Sequence, residues 1–200
     1  MGWYGRGMKR PYHHGDLPAA LLAAAEEILR TEGLAALTLR AVARKAGVSH
    51  TAPAPHFGDL AGLLSELAAS GYRLFNSYLS RAQEQPGKWD APTATAHAYV
   101  AFARDHPAMF LLMFRGDRLD FARPSLAAAA RDASLLLMRS TPAGPSEGPP
   151  DLRSLGQAVG NWSIVHGFAL LLIDGRLDQA LTLPACGGDV DVLLDAALAA

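Results

Sequence analysis

Apolar residues recur at helical spacing along most of the chain, and the breaks between recurrences fall at residues that cap or end helices. Leu17, Leu21 and Ile28, with Leu22, Ala25 and Leu29 one strip over, form an apolar face between Asp16 and Gly33. Asp16 is a capping residue, and Pro18 is tolerated in the first turn behind it. Leu39, Val42, Ala43 and Ala46 repeat the pattern after Thr38, whose hydroxyl can accept an unpaired amide proton of the first turn. Gly47 follows, suited to the left-handed conformation that ends helices, and Val48 plugs the turn. Ser49 is a second cap candidate, opening a segment that runs to Phe57. Gly58 and Asp59 stop that segment and cap a much longer helix. Its positions Leu60, Leu63, Leu64, Leu67, Leu74, Phe75, Tyr78 and Leu79 make a stripe of roughly five turns.

Beyond a Pro/Gly linker at 85–92, the same reading predicts helices near 93–105, 107–115, 120–139, 152–174 and 189–199. Residues 140–150, STPAGPSEGPP, read as a loop. Composition agrees with helix: 50% of residues are hydrophobic, alanine is abundant, and only 8% are aromatic. The predicted class is all-α, and 200 residues suffice for one or two compact units with a proper core.

Two short helices separated by a Gly turn, with a longer helix behind them, have the organisation of a helix-turn-helix, whose second helix enters the DNA major groove. The same spacing also fits an αα-corner in another helical bundle. Charge gives modest support to DNA. The net charge is −1, which argues against coating nucleic acid by bulk electrostatics. Lys and Arg outnumber Asp and Glu by 7 to 5 in residues 1–60 and are outnumbered by 11 to 14 afterwards. Residues 1–15 carry four glycines with Arg6, Lys9, Arg10, His13 and His14, and read as a flexible basic arm. A terminus without a role is the other reading of that arm.

Three stretches near the N-terminus, YHHGDLPAALLAAAEEILRTEG at 12–33, LTLRAVARKAGVS at 37–49 and HF at 56–57, carry a family likeness. They resemble the DNA-binding domain of the TetR family of bacterial transcriptional regulators. NWSIVHGFALLLIDGRL at 161–177 resembles the C-terminal helix of the TetR subgroup named after its Trp-His-Gly motif. The resemblance implies a three-helix DNA-binding domain at 16–60 and a helical ligand-binding and dimerisation domain at 61–200. It also implies a homodimer on a palindromic double-stranded operator, a small effector, repression as the usual outcome, and a cytoplasmic setting. No cofactor is expected.

The recognition segment departs from that pattern. Relatives with the signature usually carry Tyr, Arg, His and Phe in a row, then an acidic residue followed by Lys. This chain keeps His56, Phe57 and Asp59, but has Ala54, Pro55 and Leu60 at the other three places. Groups able to anchor phosphates are therefore missing. Pro53 and Pro55 lack amide protons, and a proline inside a helix costs about 3 kcal/mol. The segment is predicted to start late, near Thr51, and to be shortened or bent. The candidates left for DNA contact are Thr38, Arg40, Arg44, Lys45, Ser49, His50, Thr51 and His56. Arg40, Arg44 and Lys45 suit phosphates, whereas His50 and Thr51 sit where base edges are expected. Phe57 reads as core. An ordinary solvated face is the alternative for the charged positions.

In the body, Tyr99, Phe102, Met109, Phe110, Met113 and Phe114 gather large adaptable apolar groups. They suggest a pocket for a small hydrophobic effector, with His97, His106 or His166 as polar tips; plain core packing is the alternative. Leu155, Val159, Trp162, Val165 and Ala169 are expected at a dimer interface built from the last two long helices.

Other classes are disfavoured. Cys186 stands alone, which excludes an internal disulfide and a cysteine-rich zinc site. Adjacent His13 and His14 do not converge on one ion, so no metal is expected. No phosphate loop or local nucleophile signature points to an enzyme. The near-apolar run from Ile164 to Ile173 is too short to span a bilayer, so no membrane partner is expected. A second function class stays open: a dimeric small-molecule-binding scaffold whose head has lost much of its DNA reading.

Overall fold

The computed structural model describes residues 16–140 and 151–199, and all regular structure among them is helical. The basic arm at 1–15 lies outside the described residues, as does all but the first residue of the loop at 140–150. Helix α1 spans Leu17–Glu32, α2 Leu39–Lys45, α3 Ala54–Phe57 and α4 Leu60–Glu84. They are followed by α5 (Ala91–Asp105), α6 (Pro107–Met113), α7 (Pro124–Arg139), α8 (Leu152–Ile173), α9 (Asp178–Leu181) and α10 (Val190–Leu198).

The predicted caps form. Asp16 accepts the Ala19 amide at 3.2 Å, Thr38 the Ala41 amide at 3.0 Å, and Asp59 the Gly62 amide at 2.8 Å. Gly47 turns with φ +71° and Gly58 with φ +78°, conformations that a Cβ would strain. Asp90, Asp151 and Asp189 cap α5, α8 and α10 in the same manner.

Helix α4 unites the molecule. Its first turns pack on α1 and α3, and the rest packs on α5, α6 and α7. The stripe is buried at Leu63, Leu64, Leu67, Phe75 and Leu79, while Leu60 and Tyr78 are partly covered. Leu74 departs from the expected stripe, since 38% of its surface stays exposed. One core runs from Leu21 and Ile28 through Leu63 and Phe75 to Phe102 and Phe110. Each fully buried Leu or Phe stabilises it by about 1.5–3 kcal/mol.

Helix α7 begins at Pro124 instead of near 120, because Arg115–Arg123 form turns tied by the Arg118 and Arg123 amides to Arg115 and Asp120 carbonyls. The short helix α9 and a 3-10 turn at Leu34–Ala36 carry too few residues for a periodic signal.

Helix α8 differs most from the rest. Only Val165, Phe168 and Ala169 are buried within it, and Leu152, Val159, Ile164 and Leu171 are exposed. With 22 residues and a mean hydropathy of 1.2 over its most apolar window, it is long and apolar enough to cross a membrane. The ten-residue run read from sequence therefore understated the apolar length of this helix.

Candidate functional site

The head is built on α2 and α3. Arg40 and Arg44 lie on the exposed side of α2, opposite buried Val42 and Ala43. Lys45 reaches to 4.0 Å from the Glu27 carboxylate, whose stronger partner is Arg30 at 2.8 Å. The hydrogen bond from Arg30 holds the Glu27 carboxyl below its usual range. After Gly47, the Ser49 and Thr51 hydroxyls pair with each other at 3.0 Å, and the Thr51 amide donates to the Ser49 Oγ at 3.4 Å.

Helix α3 then starts at Ala54, later than the predicted Thr51, and ends after four residues. Its position explains how two prolines are accommodated. Pro53 is the residue before the helix, at φ −70°, and Pro55 falls in the first turn, where amides have no helical acceptor. The expected strain is thus avoided by shortening. Thr38, Arg40, Arg44, Lys45, Ser49, His50, Thr51 and His56 are all exposed, although the Thr38 hydroxyl is engaged as a cap. Phe57 is 3% exposed and belongs to the core. The head thus presents three cations on one helix and hydroxyl and imidazole groups at the next turn. That is chemistry for phosphates first and base edges second.

The body holds a cleft-like cavity of about 660 Å³ between α4, α5, α7 and α8, open to solvent on one side. Tyr72, Phe75, Tyr99, Phe114, Phe121 and Trp162 supply aromatic wall, while Ala130, Ala133 and Ser134 on α7 leave the space open. Among the described residues Asp90 is the one charged group in the lining, and hydrogen bonds from the Thr93 side chain and from the Thr93 amide, the latter at 2.9 Å, lower its carboxyl's pKa.

A polar relay stands at the wall. The Tyr99 hydroxyl lies 2.8 Å from His166 Nδ1, and Trp162 Nε1–H donates to the same hydroxyl at 3.3 Å. Burial pushes the Tyr99 phenol up and the His166 imidazole down, so both are neutral near pH 7. A neutral His166 can then accept the Tyr99 proton at Nδ1. Tyr72 donates to the Met113 carbonyl at 3.1 Å, and its phenol is pushed up to about 12 by burial.

Several candidate residues take other places than expected. Tyr99 and Phe114 line the cavity, but Phe102, Met109, Phe110 and Met113 pack behind it as core. His166 supports the lining through Tyr99 instead of facing the space. Of the residues expected at an interface, Val159 and Trp162 border the cavity and are also 58% and 44% exposed, Val165 lines the cavity from a buried position, and Ala169 is fully buried within the chain. Leu155 is 37% exposed. The reason is the rotation of α8: the strip through Val165 and Ala169 turns towards α5, leaving Ile164 and Leu171 outward.

His97 and His106 also sit away from the space. His97 lies under the Trp89 ring, 3.9 Å between centroids, and meets Asp195 at 2.6 Å and Asp191 at 3.2 Å. It fastens α10 to α5, and its hydrogen bond lowers the Asp195 carboxyl's pKa. His106 is 3.3 Å from the Tyr78 hydroxyl. Among the described residues no group of three or more His, Cys, Asp or Glu side chains is placed to hold a metal ion.

Sequence reasoning missed the α7 contribution, although Ala130, Ala133 and Ser134 already form a small-residue strip at helical spacing. It also missed Arg123, which donates to the Phe57 carbonyl at 2.6 Å.

Comparison with known proteins agrees with this arrangement. Residues 21–67 match the model for bacterial regulatory proteins of the tetR family, and residues 93–200 match a tetracyclin repressor-like C-terminal domain. A protein of unknown function from Rhodococcus sp. RHA1 is 35% identical, with 96% of each chain covered and a TM-score of 0.75. The TetR family transcriptional regulator PfmR from Thermus thermophilus shares 18% identity over 89% of this chain and 93% of its own, with a TM-score of 0.54. The multidrug binding protein EbrR, solved with ethidium, shares 18% identity over 90% of this chain and 96% of its own, with a TM-score of 0.51. No curated protein matches the chain significantly.

Proposed function

The chain belongs to the TetR family of bacterial regulatory proteins, and on that premise we propose that it is a repressor that binds a palindromic operator as a homodimer and is released by a small hydrophobic effector. Family membership makes it a DNA-binding regulator and not an enzyme. The observation that carries the ligand-responsive part is the aromatic cavity of about 660 Å³ joined by α4 to the helix-turn-helix head. An effector that binds the released state more tightly than the DNA-competent state shifts the equilibrium towards release.

The cavity chemistry favours an uncharged effector with aromatic or aliphatic bulk. Asp90 is its one carboxylate among the described residues, and the rest of the lining is uncharged, so most of an effector's contacts are apolar. Asn161 offers hydrogen bonds to a carbonyl or hydroxyl, and Ser134, whose hydroxyl donates to the Ala130 carbonyl at 3.0 Å, can accept one from a hydroxyl. The Trp-His-Gly subgroup assignment rests on Trp162, His166 and Gly167, of which the first two hold Tyr99.

The homodimer reading rests on α8 and α10. Leu152, Ile164, Leu171 and Val192 are exposed on one chain, and a second copy is what the family resemblance brings against them. Two heads then face successive major grooves, about 34–36 Å apart. A cytoplasmic setting, with DNA rather than membrane as partner, follows from the same reading.

One observation favours a second reading, a ligand-binding scaffold with a weakened head. Helix α3 is four residues long and carries Ala54 and Pro55 on its exposed side. Selection from a randomised duplex pool separates the two. The repressor reading predicts enrichment of an inverted repeat; an unenriched pool would contradict it and favour the scaffold.

A further inference from the structure

We propose that Arg123 positions the recognition helix, clamping its end to the effector-binding body. The proposal rests on the reading of residues 38–57 as the DNA-reading head. Arg123 is the residue immediately before α7, and its Nη2 donates to the Phe57 carbonyl at 2.6 Å. Phe57 closes α3, so its carbonyl is one of the unpaired acceptors at a helix end, where a cation is favoured.

One hydrogen bond and two longer ion pairs place the guanidinium, and its buried Nε makes no hydrogen bond. Its Nη1 is 3.6 Å from the Glu66 carboxylate, and its Nε is 3.9 Å from Asp120. Ser125 donates to the same Glu66 at 2.7 Å, and the Asp120 amide donates to buried Ser65 at 2.8 Å.

Gly62 supplies an independent sign that the approach is tight. A Cβ there would lie 1.9 Å from the Phe57 oxygen and 2.3 Å from Arg123 Nη2. Only glycine lets the end of α3, the first turn of α4 and the guanidinium meet.

The far end of the clamp reaches the cavity. Helix α7 runs from Arg123 past Ala130, Ala133 and Ser134 to Met138, the last four of which line the space, over about 22 Å of rigid helix. Asn76 and Gln83 of α4 donate to the Ala129 and Leu136 carbonyls along the way. A ligand that displaces α7 therefore moves Arg123 against α3. The four-residue helix is fixed by Phe57 in the core at its end and by Arg123 on the same residue, so its orientation follows the clamp.

Hydrogen exchange of the full chain tests this, with Arg123→Gln, Arg123→Lys and Glu66→Gln beside the unchanged protein. The clamp predicts that exchange at 54–62 rises about tenfold or more in Arg123→Gln, since a hydrogen bond to a charged group is lost. Exchange in α5 and α8 should stay the same, and Arg123→Lys should restore part of the protection. Glu66→Gln, which keeps Arg123 but loosens its orientation, should raise the same segment by a smaller factor. Unchanged exchange at 54–62 in Arg123→Gln, or a rise spread evenly over the chain, would overturn the proposal. Because this readout needs no DNA, it stands or falls separately from operator binding.

Discussion

Tyr99 of α5 and His166 of α8 share a hydrogen bond of 2.8 Å at the cavity wall, and Trp162 donates to the same hydroxyl. The pair joins the two helices at the cavity wall. Replacing Tyr99 by Phe leaves His166 Nδ1 and Trp162 Nε1–H without their common partner. Both groups are only partly buried and can turn to water, so the expected loss is about 1 kcal/mol of stability, the net worth of an ordinary hydrogen bond. Urea unfolding of Tyr99→Phe against the unchanged chain measures it.

His166 also gives the cavity a pH dependence. Burial lowers its pKa from 6.5 in the folded chain, so the unfolded chain takes up the proton first as pH falls. This contribution to stability is fully present above pH 6.5 and is lost as pH falls through the folded pKa. Melting temperatures between about pH 8 and pH 5 should therefore decline on the acid side, and His166→Gln should show a shallower decline. An equal slope in both proteins removes His166 as the cause.

Two glycines of α4 should respond to alanine to different degrees. At Gly62 the added Cβ meets the Phe57 backbone oxygen, which cannot move without moving α3, so a loss of about 2 kcal/mol or more is expected. At Gly71 it meets the Met109 and Met113 side chains at 2.7–2.9 Å. Flexible methionines can yield, and the gain in helix propensity offsets part of the crowding. Gly71→Ala should stay within about 1 kcal/mol of the parent in urea unfolding.

The outward face of α8 should hold the dimer. Ile164 and Leu171 are 44% and 42% exposed and lie two turns apart on one side of the helix. Changing both to Glu places charges where a second copy would bury them. Sedimentation should give a dimer for the parent chain and a monomer for the double variant, with the far-ultraviolet helix signal kept. A parent chain that sediments as a monomer would contradict the dimer reading.

Much of the fold was legible because caps and periodicity agreed. Asp16, Thr38 and Asp59 each preceded an apolar stripe, and each caps its helix. The late start of α3 was legible in direction from Pro53 and Pro55, though its place was not. That place depends on the Ser49–Thr51 pairing and on how the turn meets α4. The cavity was legible only in part. Periodicity reports which residues are apolar, but not which side of α8 faces α5. Hence buried Val165 and Ala169 were expected at an interface, and Met109 and Met113 in the pocket. Arg123 left no sequence signal, since its partner is a backbone carbonyl far along the chain.

The most direct measurement is fluorescence anisotropy of the purified protein on duplex DNA from immediately upstream of its gene, beside a scrambled duplex, over a range of salt. The account predicts tighter binding to the upstream duplex at about 0.15 M salt. Arg44→Gln should weaken binding to both and reduce the salt slope by about one. Equal binding to the two duplexes, steeply lost with salt, would leave only phosphate contact by the head. That result would contradict the assignment of a sequence-reading regulator at this operator.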